Sequence, residues 1–338
     1  MVLHGSSEPV LHGGDLSAAR HLFPGAPEPF IDLSTGINPF PYGLPRLSAE
    51  LFARLPDAEA AAALADVAAR AYGAPSAACV VAAPGTQIVL PLVAALIPPD
   101  RAAVLTPSYP EHARAAALVG HRVQAVHDIA ACGKAGLVIV GNPNNPDGRV
   151  FAKDALIALA DTMHPRGGLL VVDEAFMDVG PPGLSLASAV SRGNIVVLRS
   201  FGKFFGLAGI RLGFALAAAP LAARLSASLG PWAVSGPALA VGAKALADTA
   251  WTATTRRRLA RSAKRLDAVL AGARLDIVGG THLFRLAQTP AAPALFAHLG
   301  RAGILVRRFP DNAKWLRFAL PGNELAWRRL SAALDTFR

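Results

Sequence analysis

Leu137-Val138-Ile139-Val140-Gly141-Asn142-Pro143-Asn144-Asn145-Pro146-Asp147-Gly148 is the stretch on which the reading of the fold turns. An unbroken apolar run rich in β-branched residues makes a strand buried on both faces, and Asn, Pro and Gly then stop it abruptly. The same construction recurs downstream. Leu169-Leu170-Val171-Val172 runs into Asp173-Glu174, and Ile195-Val196-Val197-Leu198 runs into Arg199-Ser200-Phe201-Gly202-Lys203. Strands without a polar face belong to parallel sheets covered by helices. In such a sheet the carboxyl ends of the strands share one edge, where ligands bind, so Asn145, Asp173 and Lys203 are expected to converge.

Working outward, short β-branched runs alternate with helical patterns: strand 79–81, helix 86–96, strand 103–105, helix 111–119, strand 123–126, helix 153–163, and a strand over 212–216 that returns antiparallel after the lysine loop. The alternation predicts an α/β fold with a mostly parallel central sheet flanked by helices. Past Pro237 the texture changes to long helices, broken near Ala250, and then to strands at 276–278, 283–286, 304–306 and 316–319 with helices over 292–299 and 323–337. These runs predict a smaller carboxyl-terminal α+β domain. The first 45 residues are rich in Gly, Pro and Ser without a sustained period, which reads as an extended arm. The expected organisation is an arm over 1–45, a large domain over 46–234 and a small domain over 235–338.

Composition removes several classes. With 338 residues, 53% hydrophobic and 17% charged, the chain is too apolar to be disordered. The uncharged tract 77–99 contains Pro84, Gly85, Gln87 and Pro91, which suits a strand, a turn and a buried helix better than a bilayer crossing, so no membrane is expected as a partner. Residues 1–15 lack a basic segment followed by an apolar one, and Cys79 and Cys132 do not form a CxxC or zinc-like spacing, so a cytoplasmic location is expected. The net charge of +10 includes the run Arg256-Arg257-Arg258 with Arg261, Lys264 and Arg265. That run lies in a helical pattern with little aromatic interleaving and reads as a solvated face, so no nucleic-acid partner is expected. GxGxxG, P-loop, GxSxG and HExxH motifs are absent from the sequence, and no metal is expected.

A carboxylate and a lysine at one sheet edge point to a Schiff-base cofactor, pyridoxal 5'-phosphate. Of six lysines, only Lys203 follows a strand and sits between glycines, Gly202 and Gly206, where a ligand can approach closely. Asp173 follows an apolar run and needs a cationic partner there, which a pyridinium supplies. Gly85-Thr86-Gln87 opens a helix, whose free N–H groups favour a phosphate. Singly, these residues have ordinary explanations as a surface lysine, a helix cap and a turn. Jointly, at successive strand ends, they make a site.

These motifs resemble those of the fold-type I pyridoxal-phosphate enzymes, the aspartate aminotransferase-like class I/II family, over nearly the whole chain. The signatures are Asn142-Pro143-Asn144-Asn145-Pro146-Asp147-Gly148, Asp173-Glu174-Ala175-Phe176, and Ser200-Phe201-Gly202-Lys203 followed by Gly206-Leu207-Ala208-Gly209-Ile210-Arg211. The resemblance implies that Lys203 binds the cofactor aldehyde, Asp173 pairs with the ring nitrogen and Asn145 bonds the ring hydroxyl oxygen. It further implies that Ser200 and Arg211 join Gly85 and Thr86 on the phosphate, that Tyr109 stacks on the ring and that Arg317 holds the substrate carboxylate. A homodimer is implied as well.

Within that family, His12-Gly13-Gly14-Asp15 and Asp32-Leu33-Ser34-Thr35-Gly36-Ile37-Asn38-Pro39 resemble the amino-terminal pattern of the branch that decarboxylates L-threonine O-3-phosphate for cobalamin biosynthesis. Phe176 agrees, because the related histidinol-phosphate aminotransferases usually carry a tyrosine there. The likeness implies a phosphorylated amino acid as substrate, an arm that closes over it, and His12, Gly13 and Asn38, with Asn145, among its contacts. Phospho-substrate aminotransferases share every cofactor residue and form the alternative. Leu55 stands where relatives often carry a tyrosine that reaches the neighbouring subunit, and Gly202 where many have Ser or Thr. Arg307, Arg308, Arg328 and Arg329 are open candidates for the substrate phosphate.

Overall fold

The computed structural model describes residues 12–132 and 134–337. Its strands, in chain order, are β1 (Ile31–Leu33), β2 (Val80–Ala83), β3 (Arg101–Leu105), β4 (Arg122–Val126), β5 (Leu137–Gly141), β6 (Leu169–Asp173), β7 (Ile195–Arg199), β8 (Gly213–Leu216), β9 (Asp276–Thr281), β10 (Phe284–Gln288), β11 (Ile304–Arg308) and β12 (Trp315–Ala319). The chain divides into two compact units. The first comprises 41–145 and 149–252; the second comprises 146–148, 253–338 and the described part of the arm, up to Phe40.

In the first unit a seven-stranded sheet runs in the order β2-β8-β7-β6-β5-β3-β4. All its pairings are parallel except those of β8, which is antiparallel to both β2 and β7. Strands β5 and β7 are buried along their whole length, as their unbroken apolar sequences require. Helices 58–72, 86–94, 111–118, 153–163, 219–229 and 236–247 belong to the same unit. The core gathers Val81, Val89, Leu90 and Val93 with Val104, Ile139, Val171 and Leu198. Among the described residues no helix is long and apolar enough to cross a membrane.

The second unit holds a five-stranded sheet, β1-β11-β12-β10-β9, in which β1 lies parallel to β11 and the other pairings are antiparallel. The arm is therefore not extended throughout. Asp15 accepts a hydrogen bond from the Ala18 N–H at 2.8 Å and caps a helix, Leu16–Leu22, whose Ala19 is buried. Phe23 then packs on Phe296 with ring centroids 5.7 Å apart, and Ile31-Asp32-Leu33 becomes an edge strand. The signals were too short for periodicity to register: one cap, two turns of helix and three strand residues. The first 11 residues of the expected arm lie outside the described residues.

The ends of β6 and β7 are tied together behind the sheet. Arg199, buried, donates from Nη1 to Glu174 Oε2 at 3.0 Å and from Nη2 to Asp178 Oδ1 at 2.7 Å, with its guanidinium 4.4 Å from the Tyr72 ring centroid. Glu174 also accepts from Ser185 Oγ at 2.6 Å and from the Leu186 N–H at 2.7 Å. Burial pushes the Glu174 carboxyl above its usual range, and Arg199 pulls it back. Burial also disfavours the charge of Arg199, but Asp178 and Glu174 outweigh it and raise that group's pKa. Removing one member strands the others without water. Arg199→Met is expected to cost about 3–5 kcal/mol of folding stability, read as a lowered urea midpoint at unchanged slope.

Candidate active site

Every residue assigned to the cofactor lies in the first unit, and the order of its sheet explains why. Strands β5, β6 and β7 are adjacent and parallel, so the segments leaving them, with Asn145, Asp173 and Lys203, start from one edge. The loop after β5 is shaped by its asparagines. The Asn142 N–H donates to Asp173 O at 2.8 Å, Asn142 Oδ1 accepts from the Phe151 N–H at 2.9 Å, and Asn144 Nδ2 donates to Pro107 O at 2.7 Å. Between these anchors Asn145 is half-buried.

Asp173 ends β6 with its side chain mostly buried. One oxygen, Oδ1, accepts from the Ala175 N–H at 3.0 Å, as an Asx turn requires. The other, Oδ2, accepts from His112 Nε2 at 2.8 Å. His112 is 1% exposed, and its Nδ1 has no hydrogen-bond partner among the described residues. Sequence reading missed His112. Its only signal is position, one helical turn beyond Tyr109 at the start of helix 111–118, and its partner lies 61 residues away.

Tyr109 is held at its hydroxyl, which donates to Gln87 Oε1 at 3.1 Å, while Gln87 Nε2 donates to the buried Glu111 carboxylate at 2.6 Å. The Tyr109 ring stands edge-on to His112, with centroids 5.6 Å apart. Gln87 and Glu111 thus join the site as unforeseen supports.

The residues expected to hold a phosphate are brought together by close backbone approach. Gly85, at φ +92°, is the residue before helix Thr86–Ala94 and supplies no side-chain cap, leaving the first N–H groups of that helix to other partners. A Cβ at Gly85 would lie 2.7 Å from Arg211 Nη2, and a Cβ at Gly213 2.7 Å from the Thr86 nitrogen. Both positions therefore need glycine for the Arg211 guanidinium and the helix start to share this space. Arg211 is itself left-handed, at φ +54°, with Nη1 donating to Ala208 O at 3.2 Å. Ser200 precedes a single helical turn, Phe201–Phe204, and its hydroxyl makes no capping bond. Lys203 lies in that turn, half-buried, with Nζ 5.8 Å from the Phe176 ring centroid.

The remaining candidates fall in the second unit. Arg317 on β12 is 7% exposed; its Nη2 donates to Ser34 O at 3.0 Å and its guanidinium lies 4.8 Å from the Phe284 ring centroid. Burial, reinforced by the charge of Arg307, lowers the pKa of Arg317, and the Asp32 carboxylate works against that. Ser34 also binds the arm. Its Oγ accepts from the Gly14 N–H at 2.7 Å, and a Cβ at Gly13 would sit 2.5 Å from its carbonyl oxygen. Gly13 and Arg317 thus meet on one residue. His12 is exposed, whereas Asn38 is buried and its Oδ1 accepts from the Phe40 N–H at 2.8 Å.

The chain is similar to known proteins over nearly its whole length. A model of the family described as aminotransferase class I and II matches residues 31–329. A threonine-phosphate decarboxylase of Sinorhizobium sp is 44% identical over 336 residues, spanning 97% of this chain and 98% of that protein. One from Pseudomonas aeruginosa is 40% identical over 334 residues, with the same shares. Among solved structures, the histidinol-phosphate aminotransferase of Sinorhizobium meliloti in complex with pyridoxal-5'-phosphate superposes with a TM-score of 0.82 at 22% identity, covering 97% of this chain and 94% of that one, a likeness of fold. By sequence and by architecture the chain belongs to the aminotransferase class I and II family.

Proposed function

We propose that the chain is a pyridoxal-phosphate-dependent carboxy-lyase that removes carbon dioxide from L-threonine O-3-phosphate and releases (R)-1-aminopropan-2-ol O-phosphate, a step toward cobalamin. The observation that carries this reading is the pairing of Arg307 with Arg317 across β11 and β12. Directly opposed residues project from the same sheet face, with Cβ atoms about 5 Å apart. Two guanidiniums so placed repel each other, and after burial, the larger cause, the charge of Arg307 disfavours that of Arg317. Such a pair is relieved by a ligand with two anionic groups, and the substrate has a carboxylate and a phosphate. Of the other open arginines, Arg329 donates to Ala302, Pro27 and Pro29 carbonyls, and Arg308 and Arg328 are exposed and stand outside this opposed pair. We therefore assign the carboxylate to Arg317 and the phosphate to Arg307. The names and full-length coverage of the two curated relatives support the same substrate.

The residues of the first unit fit pyridoxal phosphate, because the space that a Cβ would fill at Gly85 and at Gly213 adjoins a guanidinium and a helix start. When bound, the cofactor supplies an aldehyde for the substrate amine and a ring that accepts the electrons of the broken bond. Lys203 supplies the anchoring amine and, once freed, an acid that can return a proton to the substrate's Cα in place of the lost carboxylate. Asp173, held by His112, keeps a proton on the ring nitrogen. Asn145 binds the ring hydroxyl oxygen, Tyr109 lies against the ring, and Gly85, Thr86, Ser200 and Arg211 bind the phosphate. Arg317, fixed by Ser34 and Phe284, orients the carboxylate that leaves, with His12, Gly13 and Asn38 as further substrate contacts.

We further propose a cytoplasmic homodimer. The large apolar side chains of Leu44, Phe52, Leu55 and Trp232 are exposed on the first unit, and both cysteines are free thiols.

The purified enzyme, supplied with L-threonine O-3-phosphate and no 2-oxo acid, is expected to release one carbon dioxide per substrate, whereas an aminotransferase would release none. Lys203→Ala should abolish release together with the visible absorbance of the bound cofactor. Arg307→Ala should lower kcat/KM for the phosphorylated substrate by at least about tenfold, the loss of one charge-assisted bond, in steady-state assays. Gly85→Ala, strained at positive φ and crowding Arg211, should weaken cofactor binding about tenfold or more by equilibrium titration, the loss of at least about 1.4 kcal/mol.

A further inference from the structure

The helix that carries Lys203 is a single turn, Phe201–Phe204, too short to fix its own direction. What packs against it must do so. Phe201, Phe204 and Phe205 are all buried. The Phe205 ring is stacked between two others, Phe201 at 4.4 Å and 14° and Trp251 at 5.5 Å and 12°. Phe204 meets the same Trp251 edge-on at 5.5 Å. Tyr42 closes the cluster, edge-on to Trp251 at 5.1 Å, and its N–H donates to Phe205 O at 2.9 Å. One carboxylate anchors the Trp251 backbone and the Tyr42 hydroxyl: Asp248 Oδ1 accepts from the backbone N–H of Trp251 at 2.9 Å, and Oδ2 from Tyr42 Oη–H at 3.3 Å.

Phe204 and Phe205 are the two residues that follow Lys203, and both lean on Trp251. A shift of the indole therefore tilts a one-turn helix, and the tilt is carried to the end of a long side chain. Trp251 itself is only half-buried, at the rim of the cluster, so its ring can be changed without opening the core.

We propose that Trp251, anchored at its backbone by Asp248 and packed edge-on by Tyr42, is a positioning residue that sets where the Lys203 amine sits. The proposal rests on the reading of Lys203 as the residue that binds the cofactor aldehyde. Trp251 acts through Phe204 and Phe205, so its removal should perturb the amine's chemistry and not merely the fold.

The test uses cofactor-loaded Trp251→Ala, Trp251→Phe and Asp248→Asn, and reads the pH midpoint of the visible absorbance band, kcat and KM, and Tm. Trp251→Ala is expected to move the midpoint by more than about half a pH unit and to lower kcat about 10- to 100-fold with little change in KM, the cost of a displacement near 1 Å. Trp251→Phe, which keeps a ring to stack, should retain the wild-type midpoint. Asp248→Asn leaves every ring present but exchanges the carboxylate that anchors the Trp251 backbone and Tyr42 for a neutral amide; it should move the midpoint in the same direction by less, and it decides the matter should Trp251→Ala not fold. A wild-type midpoint and kcat in Trp251→Ala, or an unmoved midpoint in Asp248→Asn when it is the variant that folds, overturns the proposal whatever happens to Tm. Lys203→Ala separates the two ideas. Loss of the band there beside an unmoved midpoint in the Trp251 variant refutes the positioning alone, and persistence of the band refutes the reading of Lys203 and the proposal with it.

Discussion

A charged carboxylate at the end of an otherwise apolar strand is the constraint around which the first unit is organised. Leu169-Leu170-Val171-Val172 is buried residue by residue, and Asp173 follows at the point where the strand emerges. There the carboxylate cannot rely on water, so the fold brings donors to it: the Ala175 N–H from its own turn and His112 from a helix that begins 62 residues earlier in the chain. The imidazole is buried and fixes the direction of one carboxylate oxygen. Our reading assigns the ring nitrogen as the cation that this carboxylate meets.

The opposite solution operates one residue further on. Glu174 points away from the edge and meets Arg199, so here a full positive charge is enclosed with two carboxylates. Alternation along β6 and β7 separates the two environments, one open to ligand and one sealed. The sealed side ties the strand ends that carry Asp173 and Ser200 by charge-assisted hydrogen bonds, which lose most if the strands slip. The edge can therefore present polar groups because the layer behind it is locked.

How much of this could be read from the sequence follows from the range of each interaction. Strand ends, turns and helix starts are written in neighbouring residues, so β5, β6 and β7, the helix from Lys153 to Met163 and the antiparallel return of β8 were legible. Gly85 stood out because it opens a helix, and Lys203 because it follows a strand and sits between two glycines. His112, Gln87 and Glu111 did not, since an isolated polar residue in an Ala-rich helix looks like a solvated one until the fold buries it. Trp251 was invisible for a related reason: its partners Tyr42 and Phe205 are distant in sequence, and stacking leaves no periodic trace. The arm failed in the other direction. Its helix and edge strand are short, and they depend on Phe296 and β11 near the far end of the chain.

The arginines show how the same amino acid can be used for unlike purposes. Arg199 is neutralised inside the protein, Arg265 pairs with Glu324 at the surface, and Arg329 is spent on three backbone carbonyls. Arg307 and Arg317 differ in that each is set directly opposite another positive charge. A fold gains nothing from that placement, since an apolar pair in the same register would pack without repulsion. Ser34 fixes Arg317 through a carbonyl oxygen, which orients the guanidinium but cannot cancel its charge. Positive charge is thus concentrated and oriented in advance, at a cost in stability, on the unit that also carries the Gly13 to Asp15 segment through the same Ser34. The Asp32 carboxylate offsets part of that cost for Arg317. In the reading proposed above, a ligand with two anionic groups recovers more of it, which would put discrimination in the arginine ladder of the second unit and leave the cofactor residues of the first as common equipment.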